Sequence, residues 1–231
     1  MSTIKTNNLA HTANGASVYT LPQTDGSAGQ VLKTDGSGNL SWVTLTDTND
    51  YVKIDRQSNG GVASALIFDN LDVATYKFFD LMLAFVPSED NYNTYFRFRT
   101  GGASGTDVNG NKYDYGYNET YPTDTHGGKA AGDQNEIRLS GGVGYNTNYG
   151  EGFRLNLRIM FADSSDNASS KRLSNFITWQ GSRLDGSSNY RTNQGAGIYN
   201  EGLLTYPTGF KIFMGSGTLN SMSYGLYGMK R

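Results

Sequence analysis

The sequence predicts an all-β protein: an antiparallel β-sandwich or jelly roll, preceded by an extended, β-hairpin-like N-terminal anchor segment. Three observations predict it. Apolar and polar residues alternate at period 2 in many short runs. Turn formers separate those runs, with 30 Gly but only 4 Pro in 231 residues. No long stretch carries convincing i, i+3, i+4 spacing, so helix is held to a turn or two.

In chain order, residues 1–48 come first. They are rich in Thr, Asn, Gly and Ser, with isolated aliphatics at Ile4, Leu9, Val18, Leu21, Val31, Leu32, Leu40 and Val43. A tandem stands out: Thr24-Asp25-Gly26-Ser27 and Thr34-Asp35-Gly36-Ser37. Asp-Gly favours tight turns, because Gly accepts positive φ and Asp bonds the following backbone. The pattern predicts strand–turn–strand–turn–strand, with strands near 30–33 and 39–43. So few apolar residues cannot close a core of their own. The segment is therefore expected to order against another chain, either copies of itself or a partner. A flexible linker is the alternative, although a repeated motif is not what a linker needs.

Residues 49–231 form the second expected domain. The clearest strand is 153–161, where Phe153, Leu155, Leu157, Ile159 and Phe161 alternate with mostly Arg or Asn. One face is expected to be buried and the other wet. Phe79, Leu81, Leu83 and Phe85 form a second set, with Asp80 on the opposite face. Phe96 and Phe98 alternate with Tyr95, Arg97 and Arg99. Further sets are Ile137/Leu139, Ile177/Trp179, Phe210/Ile212/Met214 and Met222/Tyr224/Leu226. Roughly eight to ten antiparallel strands in two packed sheets are expected.

Composition narrows the function. The formal charge is −2 and the pI about 5.7, with no Lys/Arg block, so nucleic acid is not an expected partner. Cys is absent, which removes disulfides, thiolate metal sites and cysteine nucleophiles. The opening residues lack the apolar core of a secretory signal. The longest apolar run, 81–86, is too short to cross a bilayer, so no membrane insertion is expected.

Chemistry is sparse. A glycan hydrolase needs two facing carboxylates, and Glu119, Glu136 and Glu151 are the candidates for such a pairing in space. Other acids, such as Asp25, Asp35, Asp163, Asp166 and Asp185, sit in turn contexts. His11 and His126 lie in unlike segments without a third ligand. No Gly-x-Ser-x-Gly elbow is present. The reading is non-enzymatic, with no cofactor and no metal. Asp107, Asn109, Asn111 and Asp114 place oxygens at alternate positions, as cation loops do, but Asn-Gly is also an ordinary turn, and the turn is preferred.

Recognition has better candidates. Tyr113, Tyr115, Tyr117 and Tyr121 crowd one stretch, and tyrosine offers a sugar both a flat apolar face and a hydroxyl. The first three share one face of a strand, which is either a ligand surface or core and trimer seam. Tyr145, Asn146, Asn148 and Tyr149, in a Gly-rich loop, are the second choice. Trp179 fits an apolar alternation and is expected in the core.

The stretch 24–42, TDGSAGQVLKTDGSGNLSW, with Ile4–Asn8 and Leu21-Pro22 before it, resembles a module at the start of many tail-fibre and structural proteins of tailed phages, especially those of marine bacteria. More loosely, 209–228 looks like the closing strands of phage fibre-tip jelly rolls. The resemblance covers the first forty-odd and last twenty or so residues. It implies a homotrimer, attachment to other virion proteins through residues 1–48, and a distal domain that binds host surface glycan or protein. The expected protein is thus a virion structural protein made in the host cytoplasm, a short tail fibre or fibre tip recognising host carbohydrate. A head decoration, vertex fibre or tail adaptor with a purely structural role is the alternative, since no long shaft is present.

Overall fold

The computed structural model is built from β-strands and turns, and no α-helix is present among the described residues. Those residues are 6–10, 18–45, 50–100, 104–122, 126–145, 151–162, 174–200 and 206–230. They fall into two units, Met1–Asn49 and Asp50–Arg231.

The first unit is two small hairpins. Strand β1 (Asn8–Ala10) pairs with β2 (Val18–Thr20), and β3 (Gln30–Thr34) pairs with β4 (Leu40–Thr44), both antiparallel. The second Asp-Gly copy is the β3–β4 turn. Asp35 accepts from the Ser37 and Asn39 amides at 2.8 and 3.0 Å, and Gly36 takes φ 81°, which an L side chain resists. The Asn39 side-chain amide, followed by these backbone amides, holds the Asp35 carboxyl below the usual carboxylate range. The first copy closes differently: Gln30 Oε1 accepts from the Ser27 amide, and Trp42 donates to the Thr24 carbonyl at 2.8 Å. Leu9, Val18, Val31, Leu32 and Leu45 remain exposed, because a two-stranded ribbon has no second layer to cover them.

The second unit holds β5 (Tyr51–Ala63), β6 (Ala65–Phe68), β7 (Tyr76–Pro87), β8 (Tyr92–Thr100), β9 (Thr106–Asp107), β10 (Tyr113–Thr120), β11 (His126–Gln134), β12 (Ile137–Val143), β13 (Phe153–Met160), β14 (Asn175–Leu184), β15 (Tyr190–Tyr199), β16 (Gly209–Met214) and β17 (Leu219–Lys230). Eight form one sheet in the order β11-β10-β15-β14-β13-β7-β17-β5. The other sheet runs β12-β8-β16-β6, with β9 on β8, and every pairing is antiparallel. Thirteen strands among the described residues thus replace the expected eight to ten. The surplus is in strands without large alternating residues: β11 reads His-Gly-Gly-Lys-Ala-Ala-Gly-Asp-Gln and lies at a sheet edge with little to bury.

The inner faces meet in one core. Phe153, Leu155, Leu157, Ile159 and Phe161 are all at most 2% exposed, and Phe79, Leu81, Leu83 and Phe85 at most 3%. Phe98 bridges the layers, packing against Phe161 at 5.5 Å and Tyr199 at 6.2 Å. Each such side chain contributes roughly 1.5–3 kcal/mol on burial. At one corner the Lys230 amide donates to the Asp50 carbonyl at 2.7 Å, so the unit's first and last strands run side by side.

Candidate functional site

The tyrosines of β10 do share a face, but it is the inner one. Tyr113 is fully buried, its hydroxyl accepting from the Phe98 amide and donating to the Val108 carbonyl, both at 3.0 Å. Burial pushes that hydroxyl well above the usual tyrosine range. Tyr117 is 7% exposed and packs beside the buried Trp179, and Tyr115 is half-buried against the same core. The geometry therefore presents neither Tyr113 nor Tyr117 to a ligand. Alternation correctly grouped them; it does not tell inside from outside for a residue suited to both.

Tyr121 and Tyr145 have a different setting. Register places both at one end of the sandwich. Thr120 pairs with Thr192, Arg183 with Arg191, Leu184 with Tyr190, and Tyr92 with Val143. The Gly144 amide donates to the Leu184 carbonyl at 2.8 Å, which ties the loop carrying Tyr145 to that end. Among the described residues the unit has four exposed aromatic side chains, Tyr51, Tyr92, Tyr145 and Tyr190. Three of them belong to this end. Asn146, Asn148 and Tyr149, in the same loop, lie outside the described residues.

Beneath this rim is a buried charge cluster. Arg183 Nη1 lies 2.7 Å from Glu119 Oε1, and both side chains are under a tenth exposed. Arg183 Nε also donates to the Gly142 carbonyl, and the Tyr121 hydroxyl donates to Glu119 Oε2 at 3.1 Å. Arg191 lies over the Tyr121 ring, 4.1 Å from its centroid, and pairs with Asp185. Asp185 in turn accepts from the Ser187 and Asn189 amides at 2.9 Å each. Burial would raise the Asp185 carboxyl, but the Asn189 amide and Arg191 outweigh it, so it titrates below the usual range. Ser188 Oγ donates to the buried Glu151 at 2.6 Å. The arrangement fixes three loops against one another, which lowers the ordering cost of binding.

The same contacts account for the carboxylates considered for hydrolysis. Glu119 is held by Arg183 and Tyr121, Glu151 by Ser188, and Glu136 by Arg97. In the 107–114 loop Asp107 is ringed by Arg97, Arg99 and Lys211. Burial pushes its carboxyl up, but Lys211 and the two guanidiniums pull it below the ordinary value. Asp114 instead accepts from the Asp133 amide, and Asn111 adopts φ 54° in a turn. His126 is exposed at the start of β11, and His11 lies outside the described residues. No group of three potential metal ligands occurs among the described residues.

The outer face of the eight-stranded sheet carries a feature that sequence reading did not find. It forms an open groove of about 1120 Å³, lined among others by Asn118, Gln194, Gln180 and Asn156. These four stand directly opposite one another across β10, β15, β14 and β13, pair by pair. Met82 continues the row on β7. In the neighbouring row Arg158 binds Asp80 through two 2.7 Å bonds. Tyr51, 43% exposed, stacks on Tyr227 with ring centroids 5.1 Å apart and also lines the groove. No family model matches the chain, and neither a curated protein nor a solved structure matches it.

Proposed function

We propose that the chain is a structural protein of a tailed-phage particle whose sandwich unit recognises host-surface carbohydrate through its loop end. The observation that carries this reading is the rim of Tyr92, Tyr145 and Tyr190, braced by the buried Glu119–Arg183 pair. Rigid, exposed tyrosines give large contact area at small entropy cost and offer hydroxyls to sugar hydroxyls. The N-terminal resemblance supplies the particle, and residues 1–48 the attachment to other virion proteins, with trimerisation as the mode of assembly.

A purely structural role, as head decoration, vertex fibre or tail adaptor, is the second reading. The observation favouring it is the exposed apolar set Leu9, Val18, Val31, Leu32 and Leu45, which suits assembly more than display. Glycan-array binding of the full chain and of a Tyr145→Ala/Tyr190→Ala variant separates the two. Recognition requires binding that the double substitution removes. An array with no bound glycan, together with a native mass that falls to monomer when residues 1–49 are deleted, sinks the recognition reading in favour of the structural one.

A further inference from the structure

We infer that the outer groove of the eight-stranded sheet is a second carbohydrate site, separate from the loop-end rim, that takes an extended, uncharged polysaccharide lying across the strands. Asn118, Gln194, Gln180 and Asn156 occupy four adjacent strands in one cross-strand row, all exposed, and their side-chain amides hydrogen-bond no described residue. Each carboxamide offers an acceptor oxygen and two donor hydrogens. That is the complement of sugar hydroxyls, which donate and accept at once. Neighbouring strands lie roughly 5 Å apart, close to the length of one pyranose ring in an extended chain, so successive amides meet successive rings.

Charge selects the polymer class. The row itself is neutral, and beside it Arg158 is neutralised by Asp80. The other cation lining the groove is Lys129, on the edge strand β11 and outside the amide row. A single lysine at the groove's edge cannot match the charge that an acidic polymer carries on repeat after repeat. Clearance favours a polymer too. Gly116 pairs with both Ala130 and Ala196, and Gly128 faces Asn118, so at its β11, β10 and β15 end the row is flanked on that side by residues too short to obstruct it. The groove exceeds the usual volume of a small-molecule site. Tyr51, on its Tyr227 stack, offers a ring face at one end of the groove.

The ligand class rests on the carbohydrate reading above; the location does not, and the test lets each fail alone. The full-length chain is run in native gels containing xylan, galactomannan, dextran or a mixed-linkage β-glucan, with alginate and hyaluronan as acidic counterparts. At least one neutral polysaccharide is expected to retard the protein. Gln180→Ala with Gln194→Ala should weaken that retardation by roughly tenfold or more, while Tyr145→Ala with Tyr190→Ala leaves it unchanged. Both glutamines are exposed, and an unchanged circular dichroism spectrum checks that the variant folds. Retardation by no neutral polymer, by acidic polymers alone, or equally in the glutamine variant overturns the inference. So does a native mass that rises with concentration and loses that rise in the glutamine variant, since the row would then pair copies of the chain. If the tyrosine variant abolishes all retardation and the glutamine variant none, the groove inference falls and the rim reading stands.

Discussion

Leu32 and Leu157 are the same residue in the same kind of antiparallel pairing, with opposite fates. Leu32 faces Trp42 across β3 and β4 and stays 43% exposed, whereas Leu157, between Leu81 and Trp179, is 2% exposed. Pairing strands satisfies the backbone in both places. Only the sandwich adds a second layer, and that layer takes the side chain out of water. The two units therefore contrast a layered core with paired hairpins whose apolar side chains stay exposed.

Mutations can break or sharpen that contrast. The largest effect should come from Phe98→Ala, which opens a cavity where the sheets meet and should cost about 3–5 kcal/mol by urea denaturation. Leu32→Ala should cost less than about 0.5 kcal/mol if its neighbourhood stays open to solvent. A loss approaching that of Phe98 would mean that assembly buries the hairpin in solution.

Glu119→Gln comes next. It leaves the Arg183 guanidinium buried without its countercharge, and about 3 kcal/mol of stability should go with it. Converting both partners, Glu119→Leu with Arg183→Met, should recover much of that loss. Failure to recover would mean that the pair does more than cancel its own desolvation.

Acid should act next. Asp107 and Asp185 both titrate below the usual carboxylate value, so the folded state favours their charged forms. Their contribution is fully present above roughly pH 4, the unfolded value, and disappears as pH falls through the lower folded values. Asp185→Asn should flatten the acid limb of the stability curve for the sandwich and leave hairpin amide exchange unaltered. Gly36→Ala, which places a side chain at φ 81°, should loosen the β3–β4 turn by about 1 kcal/mol, read as faster exchange of the Asn39 amide.

Legibility followed side-chain size. Strand β13 could be read residue by residue, because four large apolar groups alternate with polar ones and Phe161 extends the pattern beyond it. Strand β11, with two alanines and three glycines in nine residues, has no period to read; β10 holds it by pairing rather than burial. The tyrosines of β10 were placed together correctly, yet their side of the sheet depended on Phe98 and Tyr199, far away in sequence. The amide row was invisible for a stronger reason. Its members are ordinary polar residues at ordinary solvent positions, and they form a row only because β10, β15, β14 and β13 lie side by side in that order. Of the loop end, Tyr121 and Tyr145 were anticipated, but Tyr92, Tyr190 and the Glu119–Arg183 brace needed the fold to bring them together.

One corner contact brings the two ends of the sandwich unit together. Where Lys230 joins Asp50, Met229 pairs with both Tyr51 and Phe78, and Phe78 pairs with Met160, the last residue of β13. The tyrosine rim sits beyond Phe153, at that strand's other end. Eight residues separate these poles, roughly 25 Å at the usual rise of a strand. Residue 50 thus lies at the pole opposite the rim. Should the rim bind as proposed, the distance from residue 50 to its rings is set by stiff strands rather than by loops.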